Sequence, residues 1–340
     1  MRLLFGLVII SSVLFSCNSG DKIPDVSNIK IELTTQRFEK DFFSLDTLNF
    51  APQVDKLQAK YPGFTNTFIY AIITADPNWP NDTIVNYIRQ FATDKLYRSV
   101  YDSSQLLFKD FTPYEKEIKN ALQFCKYYFP AYKVPQKILT FIGPLDGTSI
   151  AITDDAVAIG LQHYLGKNYS LYKTSLVQDI YPQYITNNFE TPYISVNVMK
   201  QIILDIYPEK LDEKSLVQQM MEKGKRLYLL KKLLPYKDEE KLIGYTAAQL
   251  KDCYGHEKII WDMFVQQNNL LQTIDDNVIK NYIGESPKTQ ELGDESPGNI
   301  GSFVGWQIVK KYMKKYPETS LLKLMATDDD TIFQEAKYKP

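Results

Sequence analysis

The sequence predicts an α+β protein that is predominantly α-helical, with a small, mostly antiparallel sheet and a large helical C-terminal half. The sheet is indicated by short apolar runs between 137 and 160 that are separated by turn residues. The helices are indicated by apolar residues that recur three and four positions apart over most of the remaining chain. Prolines divide this helical pattern into segments of ordinary helix length.

The first element in the chain is a signal-like segment. Arg2 precedes an uncharged apolar run that ends at Phe15, which is too short to cross a bilayer as a finished helix. The run closes with Ser16 and Cys17, a pattern that resembles the bacterial lipobox, in which the cysteine receives a lipid. We therefore predict that residues 1–16 are a cleaved lipoprotein signal peptide and that Cys17 is lipidated. The alternative is an ordinary signal peptide that happens to end beside a cysteine.

The rest of the chain is predicted to be a short tether followed by one domain. Residues 17–28 are polar and rich in turn formers, which is typical of a tether. We predict a single globular domain over 29–340, with helices and the small sheet in 29–168 and the helical half in 169–340. Apolar and polar residues alternate over 29–33, and this period-two pattern predicts a strand that joins the sheet.

The elements before and within the sheet have clear boundary signals. A helix is expected to begin with Thr112 as its cap and Pro113 in its first turn, with its apolar face turned to the core. An Asp146-Gly147 turn separates the first two central strands. The central strands are predicted at 137–142, 149–152 and 156–160.

The C-terminal half is predicted to contain six main helices and one long polar loop. The loop lies between 283 and 302, and Ser296 and Pro297 are the expected start of the helix that follows it. Gly301 and Gly305 give that helix a face that another helix can approach closely. The six helices are predicted at 193–207, 215–234, 246–267, 275–282, 300–316 and 331–336.

The polar loop is the first candidate binding site. Long loops often carry function, and the acidic side chains of this one could contact a cation or a basic partner. The alternative is an irregular but ordered connector. The residues predicted to bind a partner are Glu285, Glu291, Glu295 and Asn299.

Charge and histidine content exclude several classes of function. The chain has 39 Lys and Arg against 41 Asp and Glu, with no basic stripe, so no nucleic-acid partner is predicted. The two histidines, His163 and His256, lack the spacing of a helical zinc motif. No nucleophile elbow, phosphate loop or dinucleotide fingerprint occurs. We therefore predict no catalytic residue, no metal site and no cofactor.

Cys125 and Cys253 are either a disulfide or two separate buried thiols.

The whole chain resembles the gliding-motility lipoprotein family GldB. The resemblance implies an envelope lipoprotein that the surface-motility machinery and its associated secretion system require. The family has no established enzymatic activity, so it lends no catalytic residues. Segments that carry the resemblance include Arg37-Phe-Glu-Lys-Asp-Phe, Lys126-Tyr-Tyr-Phe-Pro-Ala-Tyr, Thr140-Phe-Ile-Gly-Pro-Leu-Asp-Gly and Pro297-Gly-Asn-Ile-Gly-Ser-Phe-Val-Gly-Trp.

A fainter likeness connects the order of elements to certain zinc peptidases, which carry His-Glu-x-x-His on the helix after the sheet. The corresponding segment here, 193–203, has neither histidine nor glutamate. Without imidazole ligands a catalytic zinc has no site and no activated water. The likeness therefore implies a degenerate, zincin-like scaffold whose groove could still bind an extended chain.

The sequence thus predicts a non-catalytic envelope lipoprotein that supports gliding motility and associated protein secretion. Its predicted partners are the membrane, through the lipid anchor, and other envelope proteins of a motility or secretion complex. We expect it on the periplasmic side of a membrane. The alternative is an envelope hydrolase that acts on peptides or peptidoglycan.

Overall fold

The structure, a computed structural model, describes residues 22–267 and 269–340. The predicted signal peptide and the predicted lipidation site at Cys17 lie outside the described residues. In the part of the chain that the structure describes, the protein is 58% helical, with seventeen α-helices and one four-stranded sheet. The predicted α+β, predominantly helical class is therefore confirmed.

The sheet is mixed, with the strand order β1-β2-β4-β3. β2 pairs in parallel with both β1 and β4, and β3 is an antiparallel edge strand. The expectation of a mostly antiparallel sheet is therefore wrong. A long helical crossover separates β1 from β2, which places them parallel, and only β3 and β4 are joined by a tight turn. The strands are β1 (Thr34–Arg37), β2 (Lys137–Phe141), β3 (Ile150–Ile152) and β4 (Ala156–Gly160).

The predicted strand at 29–33 is displaced. The ladder begins at Thr34, which pairs with Lys137. Ile31 and Leu33 are buried, as their alternation predicts, but they pack on the core before the chain enters the sheet. The turn before β3 is confirmed by a 3.0 Å hydrogen bond from the Gly147 N–H to the Pro144 carbonyl.

Six α-helices and a π-helical turn, Thr67–Ile72, lie between β1 and β2. Phe38 is fully buried and contacts the rings of Phe64 and Phe68 at centroid distances of 4.8 and 4.9 Å. Thr112 is the first residue of α6 rather than its cap, which is Phe111. The helices are α1 (Phe38–Phe43), α2 (Phe50–Lys60), α3 (Phe64–Asn66), α4 (Asn81–Thr93), α5 (Lys95–Leu107) and α6 (Thr112–Tyr128).

The chain after β4 is helical, as predicted, with two corrected boundaries. The helix predicted at 246–267 is broken at His256, which has φ −118° and ψ 20°. The last long helix runs from Ile300 to Lys315, which confirms the helix predicted at 300–316. Ser296 and Pro297 are not its start, because Asn299 adopts a left-handed conformation with φ 57°. The helices are α7 (Ser175–Gln178), α8 (Gln183–Thr186), α9 (Tyr193–Ile206), α10 (Leu216–Leu233), α11 (Glu239–Ile243), α12 (Ala247–Gly255), α13 (Glu257–Gln266), α14 (Asp276–Ile283), α15 (Ile300–Lys315), α16 (Leu321–Ala326) and α17 (Asp329–Ala336).

α10 and α15 cross at close range. A Cβ at Gly305 would overlap the Met220 carbonyl oxygen, and one at Gly224 would overlap the Gly305 carbonyl. Gly301 likewise has no room for a Cβ, which would lie 2.7 Å from Ile283. The predicted small-residue face is therefore confirmed. Glycine is required here because the two backbones touch.

One hydrophobic cluster extends along the chain from Val26 to Tyr338. Val26 lies inside the predicted tether, so packing begins earlier than residue 29. Cys125 and Cys253 are free and buried, which confirms the interpretation as two separate thiols. Among the helices of the described part of the chain, none combines the length and the apolar character needed to cross a membrane.

Candidate functional site

A cavity of about 290 Å³ lies between α9, α10 and α15, with α11 and the end of α14 closing its sides. We call it the α9–α10–α15 pocket. Its floor is apolar and includes Ile203 of α9, Leu227 and Leu230 of α10, and Ile243 of α11. These side chains face inward because the helical period places them on the core side of each helix.

Charged side chains surround this apolar floor. Lys200 comes from α9, Glu209 from the segment after it, and Lys223 and Arg226 from α10. Glu285, from the polar loop, also lines the pocket. The pocket therefore offers both an apolar surface and ionic groups, a combination typical of sites that orient a small ligand.

Two of the four predicted loop residues line the pocket and two do not. Glu285 and Asn299 belong to its wall, although they are fourteen positions apart. Glu291 instead accepts a hydrogen bond from the Tyr282 hydroxyl at 2.8 Å, and Glu295 is exposed. The loop therefore does not bring its acidic residues together as one site.

The loop is ordered by its own hydrogen bonds. Thr289 is fully buried; its N–H donates to Ser296 Oγ at 3.1 Å and its hydroxyl donates to the Pro297 carbonyl at 2.8 Å. Tyr245 also donates to the Gly298 carbonyl at 3.0 Å. These bonds agree with the interpretation as an ordered connector, and they fix the two loop residues that reach the pocket.

Arg226 is the most unusual group in the pocket. Its guanidinium lies between two carboxylates, with Nε 3.6 Å from Glu209 and Nη2 3.7 Å from Glu222. Both distances are too long for hydrogen bonds. Nε and Nη1 are buried and have no hydrogen-bond partner among the residues that the structure describes. Buried polar groups are normally paired, so these two donors call for an explanation.

Closer cations already occupy the two carboxylates beside Arg226. Lys223 Nζ lies 2.8 Å from Glu209. Lys214 and Lys225 each place Nζ 3.0 Å from Glu222. The guanidinium is therefore held near both carboxylates by attraction at a distance rather than by hydrogen bonds.

Lys200 stands at the mouth of the pocket, with much of its side chain exposed. The loss of hydration around its ammonium among the pocket walls lowers the pKa of Lys200 from its ordinary value. The Glu285 carboxylate opposes this shift, and the Lys223 ammonium adds to it. The pKa of Lys200 is therefore affected both by an acidic and by a basic side chain of the pocket.

Sequence reasoning found the loop residues and missed Lys200, Lys223 and Arg226. A basic residue on a helix usually marks a solvated face, and nothing in the local pattern separates Arg226 from the lysines around it. Only the packing of α9 against α10 shows that the three cations face one cavity.

The helix that would carry zinc ligands in a peptidase is α9, and it lies against the antiparallel edge strand β3. Its polar residue Asn197 donates from Nδ2 to the Tyr164 hydroxyl at 3.0 Å. Across residues 22–267 and 269–340, no three His, Cys, Asp or Glu side chains converge as metal ligands would. α9 therefore contributes an amide at this position and not a ligand set.

The two histidines have different environments. His163 is buried, its Nε2 lies 2.8 Å from the Leu145 carbonyl, and its ring packs on Phe189. Burial lowers the pKa of His163 from its ordinary value, which favours a neutral ring that donates from Nε2. His256 is exposed at the break between α12 and α13.

Comparison with known proteins gives one family. Searches of curated proteins and of solved structures found no match. The model of the family described as gliding motility protein GldB matches residues 19–340, nearly the full chain. This extent confirms the resemblance seen in the sequence. The chain belongs to the GldB family, a lipoprotein family of gliding motility.

Proposed function

We propose that this protein is a lipid-anchored, non-catalytic component of the cell envelope that supports the gliding machinery and the protein secretion associated with it. Family membership over residues 19–340 supports the link to motility. The observation that carries the non-catalytic part is the chemistry of α9, the helix that packs on the edge strand, which contains neither histidine nor glutamate where a zinc peptidase needs imidazoles and a carboxylate.

The anchor is the second part of the proposal. The signal-like segment that ends at Cys17 supports export, cleavage and lipidation, with the body on the periplasmic side. Each buried CH₂ of an acyl chain contributes about 0.8 kcal/mol, and more than one chain is needed for durable attachment. Such an anchor would hold the protein beside envelope partners of a motility or secretion complex.

A scaffold and an enzyme respond differently to substitution. An enzyme loses orders of magnitude in rate when one catalytic group is removed. A scaffold distributes its binding energy over a patch of surface. The discriminating variants are therefore His163→Gln, which keeps a side-chain donor in the buried site, and a charge reversal of Glu285, Glu291 and Glu295 together.

The experiment is complementation in a gliding host whose own family member is deleted, with spreading and secretion as readouts. We expect His163→Gln to restore both and the triple reversal to restore neither. A matched triple reversal of the exposed Asp102, Asp179 and Glu318 controls for net charge. If a well-expressed His163→Gln protein fails while the loop variant succeeds, the proposal is wrong and a hydrolase takes its place.

Metal content gives an independent check. We expect elemental analysis of gently purified protein to find far less than about one zinc per chain, the stoichiometry of a catalytic site. Stoichiometric zinc that dialysis does not remove would contradict the non-catalytic role. The histidine variant would then be examined for loss of that metal.

A further inference from the structure

The beginning of the described chain is bound to one side of α6. Gln123 of this helix donates from Nε2 to the Ile29 carbonyl at 2.8 Å. The Ile29 N–H in turn donates to the Val26 carbonyl at 3.0 Å, and Val26 is buried in the core. Because this tight turn keeps Val26 close to Ile29, the chain that leads back to Cys17 leaves the folded body beside the middle of α6.

The length of chain before this point determines which side of the body can face a membrane. Val26 lies nine positions after Cys17, and a fully extended chain between them spans at most about 30 Å. A folded body of this size measures roughly 50 Å across. If Cys17 carries the proposed lipid, the side opposite α6 is therefore too far from the exit of the chain to lie on the bilayer. The side that includes α6 then faces the membrane, an orientation that rests on the proposed anchor.

The side of α6 that is turned away from the core is basic and aromatic. The helical period places it opposite the buried Ile118, Leu122 and Cys125. None of its six residues, all of them described, is acidic, and Tyr127 among them is 50% exposed. Lysines around an exposed tyrosine are typical of a surface that meets lipid headgroups. We call this side the α6 outward face, and it consists of Lys116, Lys119, Asn120, Gln123, Lys126 and Tyr127.

Carboxylates flank this face without belonging to it. Glu115 and Glu117 lie one position to either side of Lys116, which places each of them about 100° around the helix from it. The Glu115 carboxylate accepts a hydrogen bond from the Thr35 hydroxyl at 2.7 Å, and Glu117 forms an ion pair with Lys237. Both acidic groups are thus directed to neighbouring parts of the protein, and the outward charge of the face is positive.

We propose that the α6 outward face lies against the anionic phospholipid headgroups of the membrane that holds the lipid of Cys17. Its lysine ammonium groups are attracted to the negative surface potential of such lipids. The ring of Tyr127 lies at the level of the headgroups, where amphipathic aromatic side chains are enriched. Tyr236, which is 73% exposed and packs on Phe124 with ring centroids 6.3 Å apart, enlarges this aromatic contact. The lipid alone tethers the body, whereas the docked face also fixes its orientation.

The test is surface labelling of the full-length mature lipoprotein in two kinds of vesicle, one of phosphatidylcholine alone and one that also contains phosphatidylglycerol. A membrane-impermeant amine-reactive ester modifies the lysines, and mass spectrometry compares Lys30, Lys116 and Lys119 with Lys280. Lys280 is an exposed residue of α14, a helix that packs on α15 and α10. Relative to Lys280, we expect the other three to be labelled at least about threefold more slowly in the anionic vesicles than in the neutral ones, because anionic lipid attracts the face.

Charge reversal of the face supplies the variant. Lys116→Glu combined with Lys119→Glu should abolish the slower labelling of Lys30, the exposed residue that follows the attachment point on α6. A matched double reversal of the exposed Lys314 and Lys323 should leave it unchanged. The thermal midpoint of each variant is measured. If the reversal on α6 fails to fold, the comparison of the two vesicle types with the wild-type protein still decides the proposal.

Flotation of the vesicles separates the anchor from the docked face. A wild-type protein that floats with neither kind of vesicle would overturn both. A protein that floats with both kinds and is labelled equally in both would overturn the docked face alone, and so would slower labelling that persists in the α6 reversal. Protection that occurs in native host membranes but in neither kind of vesicle would assign the face to a protein partner and overturn its contact with lipid.

Discussion

Gly305 illustrates how a single residue fixes the packing of this protein. It lies where α10 and α15 touch, and a Cβ there would overlap the backbone carbonyl of Met220. A backbone atom cannot move aside as the tip of a flexible side chain can. We expect Gly305→Ala to lower the free energy of unfolding by about 3 kcal/mol, measured by urea denaturation.

Gly255→Ala is the matched control for this change. Gly255 ends α12, and an added Cβ would meet no atom within 4 Å. Alanine also restricts the unfolded chain, so this variant should be neutral or more stable by about 0.5 kcal/mol. If Gly305→Ala were as harmless as Gly255→Ala, close contact of α10 with α15 would not be a requirement of the fold.

Glu222 gives a pH-dependent prediction at the same scale. Burial raises the pKa of Glu222, but the ammonium groups of Lys225 and Lys214 outweigh this effect and hold it below its ordinary value. A carboxyl whose pKa is depressed by folding stabilises the protein above its unfolded pKa, near 4.5, and this stabilisation is lost as the pH falls through the folded value.

We therefore expect Glu222→Gln to lower stability by about 2 kcal/mol at pH 7 and by much less at pH 3. Urea denaturation at both pH values measures the difference. Glu318→Gln removes an exposed carboxylate and should change stability at pH 7 by less than about 0.5 kcal/mol. An equal loss for Glu222→Gln at both pH values would contradict the ionic explanation.

At the scale of elements, local pattern predicted most helices and strands and failed where distant contacts decide. The stripe of α10 could be predicted because its apolar residues face one core, and the Ser215 N–H just before the helix donates to Gln218 Oε1 at 2.9 Å. Strand direction was not readable, because it depends on how the helices between β1 and β2 return the chain. The range of α15 was predicted, but the expected start at Ser296 and Pro297 was wrong, because the left-handed Asn299 interrupts the chain just before Ile300.

Only half of the residues that line the candidate site could be predicted from the sequence, again because contacts between distant elements form the pocket. Glu285 and Asn299 stand out in a loop of unusual composition. Arg226 and Lys200 lie on separate helices, and their common cavity exists only after α9 packs on α10. Periodicity identifies which face of each helix is buried, but it does not identify which faces meet.

The loop over residues 284–299 yields a prediction at this scale. The Thr289 hydroxyl donates to the Pro297 carbonyl in a fully buried position. Thr289→Val keeps the shape but leaves that carbonyl without this donor, at a cost of about 1–2 kcal/mol. We expect amide hydrogen exchange to accelerate across residues 284–299 while the centre of α10 keeps its protection. Unchanged exchange in the loop would show that other contacts order it.

At the scale of the whole molecule, the predicted lipidation site lies close in sequence to the folded body. The core already includes Val26, nine positions after Cys17. Nine residues of fully extended chain span at most about 30 Å. A lipid on Cys17 would therefore hold the folded body within about one domain diameter of the membrane, where only partners near that surface can reach the pocket and the loop.

The last prediction tests this arrangement through Cys17. Mass spectrometry of the mature N-terminus should find acyl chains on Cys17, and Cys17→Ala should leave an unprocessed or unanchored protein that no longer fractionates with membranes. Cys253→Ala, which removes a buried thiol of the folded body, should remain anchored. Because a lipid on Cys17 would tie the body so near the membrane, Cys17→Ala should also fail to restore spreading even at normal protein levels. A mature N-terminus that begins elsewhere, or full motility without the anchor, would mean that the folded body alone finds its partners and that the lipid is dispensable.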